Sequence, residues 1–224
     1  MASRKEQKEQ LRREREEREA RERAAAERKA RMTRIGGALA ALLVVGAVIA
    51  IVALSGGDDS DPAAAQKGLA ETQGPWPPLV DGLPDREDAL GLPAPHETIY
   101  HVHAQLKIYV NGKQQTVPNN IGIAPPDFLS SLHSHDEKGI IHMEAVEPYE
   151  FTLGQFMTIW GVKFTNTQLG AYKVEPGLVL ETYINGKKVP NGPATQLGAG
   201  DRVVIIFGKP GSAPKDFKLD PAAV

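Results

Sequence analysis

The longest apolar run of the chain covers residues 35–54, a stretch of 20 positions that contains no Lys, Arg, Asp or Glu. A helix of 20 residues rises about 30 Å, which is the thickness of the hydrocarbon core of a bilayer. The run is also longer than the apolar core of a typical cleaved signal peptide. The pattern therefore predicts a retained transmembrane helix over residues 35–55.

The residues before this run lack an apolar stripe and are mostly charged or alanine. Pairs of Glu and Arg four positions apart, such as Glu9–Arg13 and Glu27–Arg31, predict one charged polar helix over residues 1–34. Its acidic and basic side chains are interleaved and it contains no aromatic residue. Both features argue against nucleic acid as a partner.

Charge is distributed unevenly on the two sides of the predicted span. Residues 1–34 carry 13 basic and 8 acidic side chains, a net charge of +5, whereas the rest of the chain carries −7. Because positively charged flanks stay inside, we expect a single-pass protein of the cell membrane with a cytoplasmic N-terminus and an extracytoplasmic C-terminal domain.

The lipid bilayer is then the first predicted partner. Within the span, Gly36/Ala40 and Gly46/Ala50 have the spacing with which two transmembrane helices pack closely. A homodimer through the transmembrane helix and a contact with another membrane protein are therefore both open.

Two segments beyond the span lack a regular pattern. Residues 56–97 are rich in Pro and Gly, and they predict a linker in which Trp76 and Leu79 are candidates to dock on the domain that follows. Residues 211–224 are predicted to form a flexible tail.

Residues 98–210 have the patterns of a small β-rich domain. Apolar and polar side chains alternate over residues 101–110, which predicts a half-buried strand. The Asn111-Gly112 dipeptide that follows is the strongest short signal for a hairpin. Further strands are predicted over residues 139–146, 178–184 and 202–207, with a second Asn-Gly turn at residues 185–186.

One short helix is predicted in the middle of this domain. Thr152 and Gln155 have the spacing of a capping box, and Gly161 lies where the helix would end. The apolar residues of this helix fall on one face and are predicted to lie in the core: Leu153, Phe156, Met157 and Trp160. The order β-β-β-α-β-β predicts an α+β fold with a mostly antiparallel sheet and one short helix, of which a β-grasp-like arrangement is one form.

The histidines are confined to a short part of this domain. All six lie between residues 96 and 142, and His96 alone stands outside a pattern of pairs spaced two residues apart. Side chains two apart on a strand share a face, and in the first strand that face is the polar one. We therefore predict a metal site with the ligands His101, His103, His133, His135, His142 and Glu144.

Imidazole and carboxylate ligands suit copper and zinc, and we expect one of these two ions. The chain contains no cysteine, which excludes a thiolate copper site and a disulfide framework. Non-haem iron is a further candidate, and five histidines could hold two ions. Two other interpretations need no metal: polar histidines paired with Asp136, Glu137 and Glu144, and a proton-sensing cluster.

Three strings of the domain, HVHAQLKIYVNGK, LHSHDEKGIIHMEA and FTLGQFMTIWG, resemble a His-rich extracytoplasmic domain of membrane-anchored proteins in high-GC Gram-positive bacteria. The resemblance covers about residues 98–210. It implies a common domain and assigns no role to any residue.

These features predict a membrane-anchored extracytoplasmic protein that binds copper or zinc for buffering, delivery or sensing. One alternative is a structural or interaction module of the membrane envelope. Another is a metal-dependent enzyme with Glu144 or Asp136 as general base beside a metal-bound water. The chain lacks catalytic signatures such as H-E-x-x-H, which argues against an enzyme.

The charge asymmetry makes a testable prediction about topology. In intact cells, an N-terminal tag should be protected from added protease and a C-terminal tag should be cleaved, because the basic flank stays inside. Both tags should be cleaved once detergent opens the membrane. An N-terminal tag that protease removes from intact cells would contradict the predicted orientation.

Overall fold

The computed structural model describes residues 65–93 and 99–223. The predicted charged helix over residues 1–34, the predicted span over residues 35–55 and His96 lie outside the described residues. Among residues 65–93 and 99–223, no helix combines the length and the apolar character needed to cross a bilayer.

The secondary structure within these residues is dominated by strands. The two α-helices are α1 (Leu83–Ala89) and α2 (Leu153–Trp160), and a short 3-10 helix covers Pro221–Ala223. The strands are β1 (Tyr100–Val110), β2 (Lys113–Gln115), β3 (Ile123–Ala124), β4 (Phe128–Leu129), β5 (Leu132–His133), β6 (Ile140–Ala145), β7 (Gln168–Leu169), β8 (Tyr172–Lys173), β9 (Val179–Ile184), β10 (Lys187–Val189) and β11 (Asp201–Gly208).

One seven-stranded sheet organises the domain. Its order is β10-β9-β11-β1-β6-β5, and β2 pairs with the C-terminal end of β1 beside β6. Strands β1 and β11 are parallel, while the other pairings of this sheet are antiparallel. The prediction of an α+β fold with a mostly antiparallel sheet is confirmed.

The local signals in the sequence produce the turns and caps that they predict. Asn111 and Gly112 both have positive φ, 50° and 80°, as a tight two-residue hairpin requires. Thr152 and Gln155 form the reciprocal capping box at the start of α2. Gly161 ends this helix with a φ of 91°, in the left-handed region that favours glycine.

The larger buried apolar cluster lies on one face of the sheet and contains the apolar face of α2, and a smaller one of Tyr183, Val204 and Ile206 lies on the other face. The even-numbered positions of β1 from residue 104 to 110 are buried, as the alternation predicts. Gln105, on the polar face, is also buried, and its side chain donates to the carbonyl of Lys138 and accepts from the backbone N–H of Asp220. The predicted core residues of α2 are likewise buried: Leu153, Phe156, Met157 and Trp160.

Residues 65–93 and 99–223 contain two α-helices where the sequence predicts one, because α1 lies in the predicted linker. This helix has only seven residues and follows a proline-rich stretch, so its periodicity is too short to recognise. Trp76 docks on the domain: it is 1% exposed, and its carbonyl accepts a 3.1 Å hydrogen bond from the indole of Trp160. Residues 65–93 therefore pack on the sheet domain instead of forming a bare spacer.

The end of the chain also packs on the sheet, which differs from the predicted flexible tail. The backbone N–H of Asp220 donates to Gln105 at 2.9 Å, Arg202 binds the Asp216 carboxylate at 2.7 Å, and Ala223 is fully buried. These contacts join residues that are distant in sequence, so no local pattern announces them.

The burial of Trp76 predicts its contribution to stability. Trp76→Ala should lower the free energy of unfolding by about 3–5 kcal/mol, as large aromatic truncations in a core do. Urea denaturation followed by the fluorescence of Trp160 measures the change, because the chain contains only 2 tryptophans. Val80→Ala is the control, since Val80 is 42% exposed. Equal midpoints for both variants would show that residues 65–93 do not support the domain.

Candidate metal centre

Strand register brings the histidines into one row across three strands. In the pairing of β1 with β6, His103 lies opposite His142, and His101 lies opposite Glu144. In the pairing of β6 with β5, His142 lies opposite His133. His142 is therefore the central member of the row, with one histidine strand on each side.

The first group of candidate ligands is a triangle of ring nitrogens from His101, His103 and His142. Nε2 of His101 lies 3.0 Å from Nε2 of His103, and Nδ1 of His142 lies 3.1 Å from both. With metal–nitrogen bonds of about 2.0–2.1 Å, these separations correspond to angles of about 95° at a shared ion. The triangle thus has the size of three adjacent ligands of one ion.

The second group consists of His133, His135 and His142. Nε2 of His133 lies 3.1 Å from Nε2 of His135, and the three potential ligand atoms lie within 4.8 Å of one another. The rings of His133 and His142 stack with centroids 4.9 Å apart. Two of three candidate ligands in this group are thus already at the spacing of a shared ion.

Glu144 lies between the two groups. Its Oε1 is 3.2 Å from Nε2 of His101 and 3.7 Å from Nε2 of His133. Asp136 is used differently: its carboxylate accepts the backbone N–H of Lys138 within the turn before β6. Of the two carboxylates considered from the sequence as a general base, Glu144 is the one whose contacts reach the cluster.

A hydrogen bond to the backbone fixes the orientation of the His133 ring. Its Nδ1 lies 2.8 Å from the carbonyl oxygen of Ser130. A carbonyl only accepts, so Nδ1 carries the proton and Nε2 keeps the lone pair that a metal needs. His133 is fully buried, and the clamp holds it in the tautomer of a ligand.

Glu87 of α1 supports this clamp and was not identified from the sequence. Its carboxylate accepts hydrogen bonds from the hydroxyl of Ser130 at 3.1 Å and the backbone N–H of Ser131 at 2.8 Å. Burial raises the pKa of Glu87, and the bonds from Ser131 and Ser130 oppose that shift. No pattern could have revealed Glu87, because it lies in the predicted linker, 43 residues from Ser130.

The surroundings keep part of the cluster neutral. Burial, together with the neighbouring histidines, lowers the pKa of His142 from 6.5 to about 3. Burial also lowers the pKa of His133 to about 4, although the Ser130 carbonyl and Glu144 act in the opposite direction. The pKa of His103 is lowered by the same cause. Neutral imidazole is the form that binds metal, so protons compete weakly at these positions.

The structure brings together all of the ligands predicted from the sequence: His101, His103, His133, His135, His142 and Glu144. They come from β1, β5, β6 and the turn after β5. Comparison of the chain with protein-family models, curated proteins and solved structures finds no match. The interpretation of the cluster therefore depends on its geometry and chemistry.

The lowered pKa values predict a pH dependence of stability in the metal-free protein. A histidine whose folded-state pKa lies below its unfolded value of about 6.5 binds its proton more readily in the unfolded chain. Its contribution is therefore complete above pH 6.5 and is lost as the pH falls toward 4 and below. The slope is at most about 1.4 kcal/mol per pH unit for each such histidine.

Urea denaturation at several pH values in the presence of chelator measures this dependence. Wild type should lose more unfolding free energy between pH 7 and pH 4.5 than His142→Gln, which lacks the most strongly shifted group. Parallel curves for the two proteins would contradict the assignment of a neutral, proton-resistant His142.

Proposed function

We propose that the chain is a membrane-anchored extracytoplasmic protein that binds copper or zinc through its histidine cluster, for buffering, delivery or sensing. The observation that carries this proposal is the triangle of nitrogens from His101, His103 and His142, with sides of 3.0–3.1 Å. Three imidazoles supply the ligand type that both ions accept.

Protons alone cannot satisfy this triangle. A hydrogen bond between two imidazole nitrogens needs a proton on one nitrogen and a lone pair on the other. Each of the three nitrogens is either protonated or carries a lone pair. With three nitrogens in mutual contact, at least one side of the triangle therefore joins two protonated nitrogens or two lone pairs. A cation at the shared position accepts three lone pairs at once, which favours a metal over a proton-sensing cluster.

Metal-free pairing with carboxylates is the competing interpretation, and the surroundings weigh against it. Glu144 contacts His101 and His133 at 3.2 and 3.7 Å, but a carboxylate pairs best with protonated histidine. The pKa of His133 is lowered to about 4, so this ring stays neutral at neutral pH. A neutral, buried ring with its Nε2 lone pair directed at other histidines is arranged as a ligand.

The proposal also includes the location of the domain and its β-grasp-like arrangement. The uncharged stretch over residues 35–54, the +5 charge before it and the acidic residues after it support a single span with the histidine domain outside the cell membrane. We further propose that the domain is β-grasp-like, since the parallel β1–β11 pair is flanked by hairpins and α2 contributes to the core on one face.

Metal titration of the purified chain tests the function. Wild type should bind copper(II) and zinc at neutral pH, and the preferred ion follows from the two affinities. Changing residues that merely orient ligands costs about 10–100-fold in affinity. His101→Ala/His103→Ala removes two of the three nitrogens of the triangle, so binding of an ion at this group should weaken by more than about 100-fold.

His96→Ala is the matched control, because it removes a histidine outside the pattern of pairs. It should bind like wild type. Equally weak binding by wild type and by the double variant would reject the metal site and leave a structural module.

A further inference from the structure

The position of His142 between two groups of ligands raises the question of how many ions the cluster holds. The two sets of three potential ligands, His101/His103/His142 and His133/His135/His142, share this one residue. An imidazole offers two nitrogens on opposite sides of its ring. A residue that belongs to both sets can therefore serve two ions at once.

We propose that the cluster is a two-metal centre in which the imidazolate of His142 bridges the ions, a proposal that rests on the proposed metal-binding function. The first ion is held by His101, His103 and Nδ1 of His142. The second is held by His133, His135 and Nε2 of His142.

Strand pairing gives the two groups separate sides. β6 pairs with β1 along one edge and with β5 along the other. Nδ1 of His142 is committed to the β1 side, because it lies 3.1 Å from the ring nitrogens of His101 and His103. Its second ring nitrogen, Nε2, is the one that remains for an ion on the β5 side. On the β5 side, Nε2 of His133 and Nε2 of His135 lie 3.1 Å apart, and one ring nitrogen of His142 lies within 4.8 Å of the ligand atoms of both residues.

The ligand count also favours two ions. Five imidazoles and one carboxylate exceed the three or four protein ligands that zinc usually takes. Divided between two ions, they give each ion three imidazoles. Glu144 lies within 3.2 Å of His101 from the first group and 3.7 Å of His133 from the second, so its carboxylate can complete either ion.

Bridging has a defined proton balance. A neutral His142 that binds the first ion through Nδ1 still carries one proton on Nε2. That proton passes to solvent as the bond between Nε2 and the second ion forms, and a bound cation makes this loss favourable. No oxidant or reductant is needed.

Copper loading of the full chain, after chelator treatment and dialysis, tests the proposal. Wild type should bind two copper(II) ions per chain by elemental analysis. Its electron paramagnetic resonance intensity at low temperature should fall well below that of two isolated ions, because the imidazolate couples them. A mixed form loaded with one copper and one zinc should regain the full signal of one copper.

Two variants separate the groups. His135→Ala removes a ligand of the second ion only. His135 is chosen over His133 because it is exposed, so its replacement leaves the core intact. It should bind one copper with full signal intensity. His103→Ala should do the same by disabling the first group, whereas His142→Gln should lose both the coupling and the tightest binding step.

Each other outcome identifies what has failed. One copper per wild-type chain, with full intensity, overturns the two-metal centre and leaves the proposed function standing. Two coppers without coupling overturn the His142 bridge. No copper and no zinc bound by wild type overturns the proposed function together with this inference.

Discussion

The pairing register of β1 with β6 is the constraint on which the site depends. Alternation places His142 and Glu144 on one face of β6 and the buried Ile141 and Met143 on the other. A slip of one residue would exchange the two faces, burying His142 in the core and turning Met143 toward the histidines of β1. The cost of exposing the core residues therefore holds the candidate ligands opposite one another. In this way the apolar face specifies the geometry of the polar one.

Register alone cannot position the other end of the row, because β5 has only two residues. Tertiary contacts supply what the short ladder lacks. The Ser130 carbonyl orients His133, and the buried carboxylate of Glu87 holds Ser130 and Ser131 in place. Glu87 belongs to α1, which precedes the sheet in the chain. Helix α1, which the sequence assigned to the linker, therefore helps to position the residues of the site.

The sequence was informative wherever the determining contacts are local. Alternation located β1, and the Thr152–Gln155 capping box with Gly161 located both ends of α2. The H-x-H spacing identified the candidate ligands because side chains two apart on a strand share a face. The spacing did not predict which pairs would lie together, since His103 and His142 become neighbours only through the pairing of β1 with β6.

What the sequence did not reveal depends on contacts between distant residues. The parallel pairing of β1 with β11 joins the two ends of the domain, and no turn signal encodes it. Packing of Trp76 on Trp160 and of Asp220 on Gln105 is equally non-local. Pro and Gly content indicated a spacer, although the same residues also permit the irregular backbone with which residues 65–93 follow the surface of the domain.

Exposure changes along the cluster, and this gradient bears on the kind of metal site that we propose. His133 is fully buried and clamped, whereas the side chain of His101 is 44% exposed. A structural metal site surrounds its ion with four protein ligands and closes it from solvent. A cluster with one rigid, buried end and one accessible end lets an ion exchange ligands at the surface without unfolding of the domain. The buried His133 and the half-buried His142 meanwhile stay neutral, because their lowered pKa values keep protons from occupying the candidate ligand positions. Access at one end and proton resistance at the other favour reversible binding, as buffering or delivery requires, over a permanently enclosed ion.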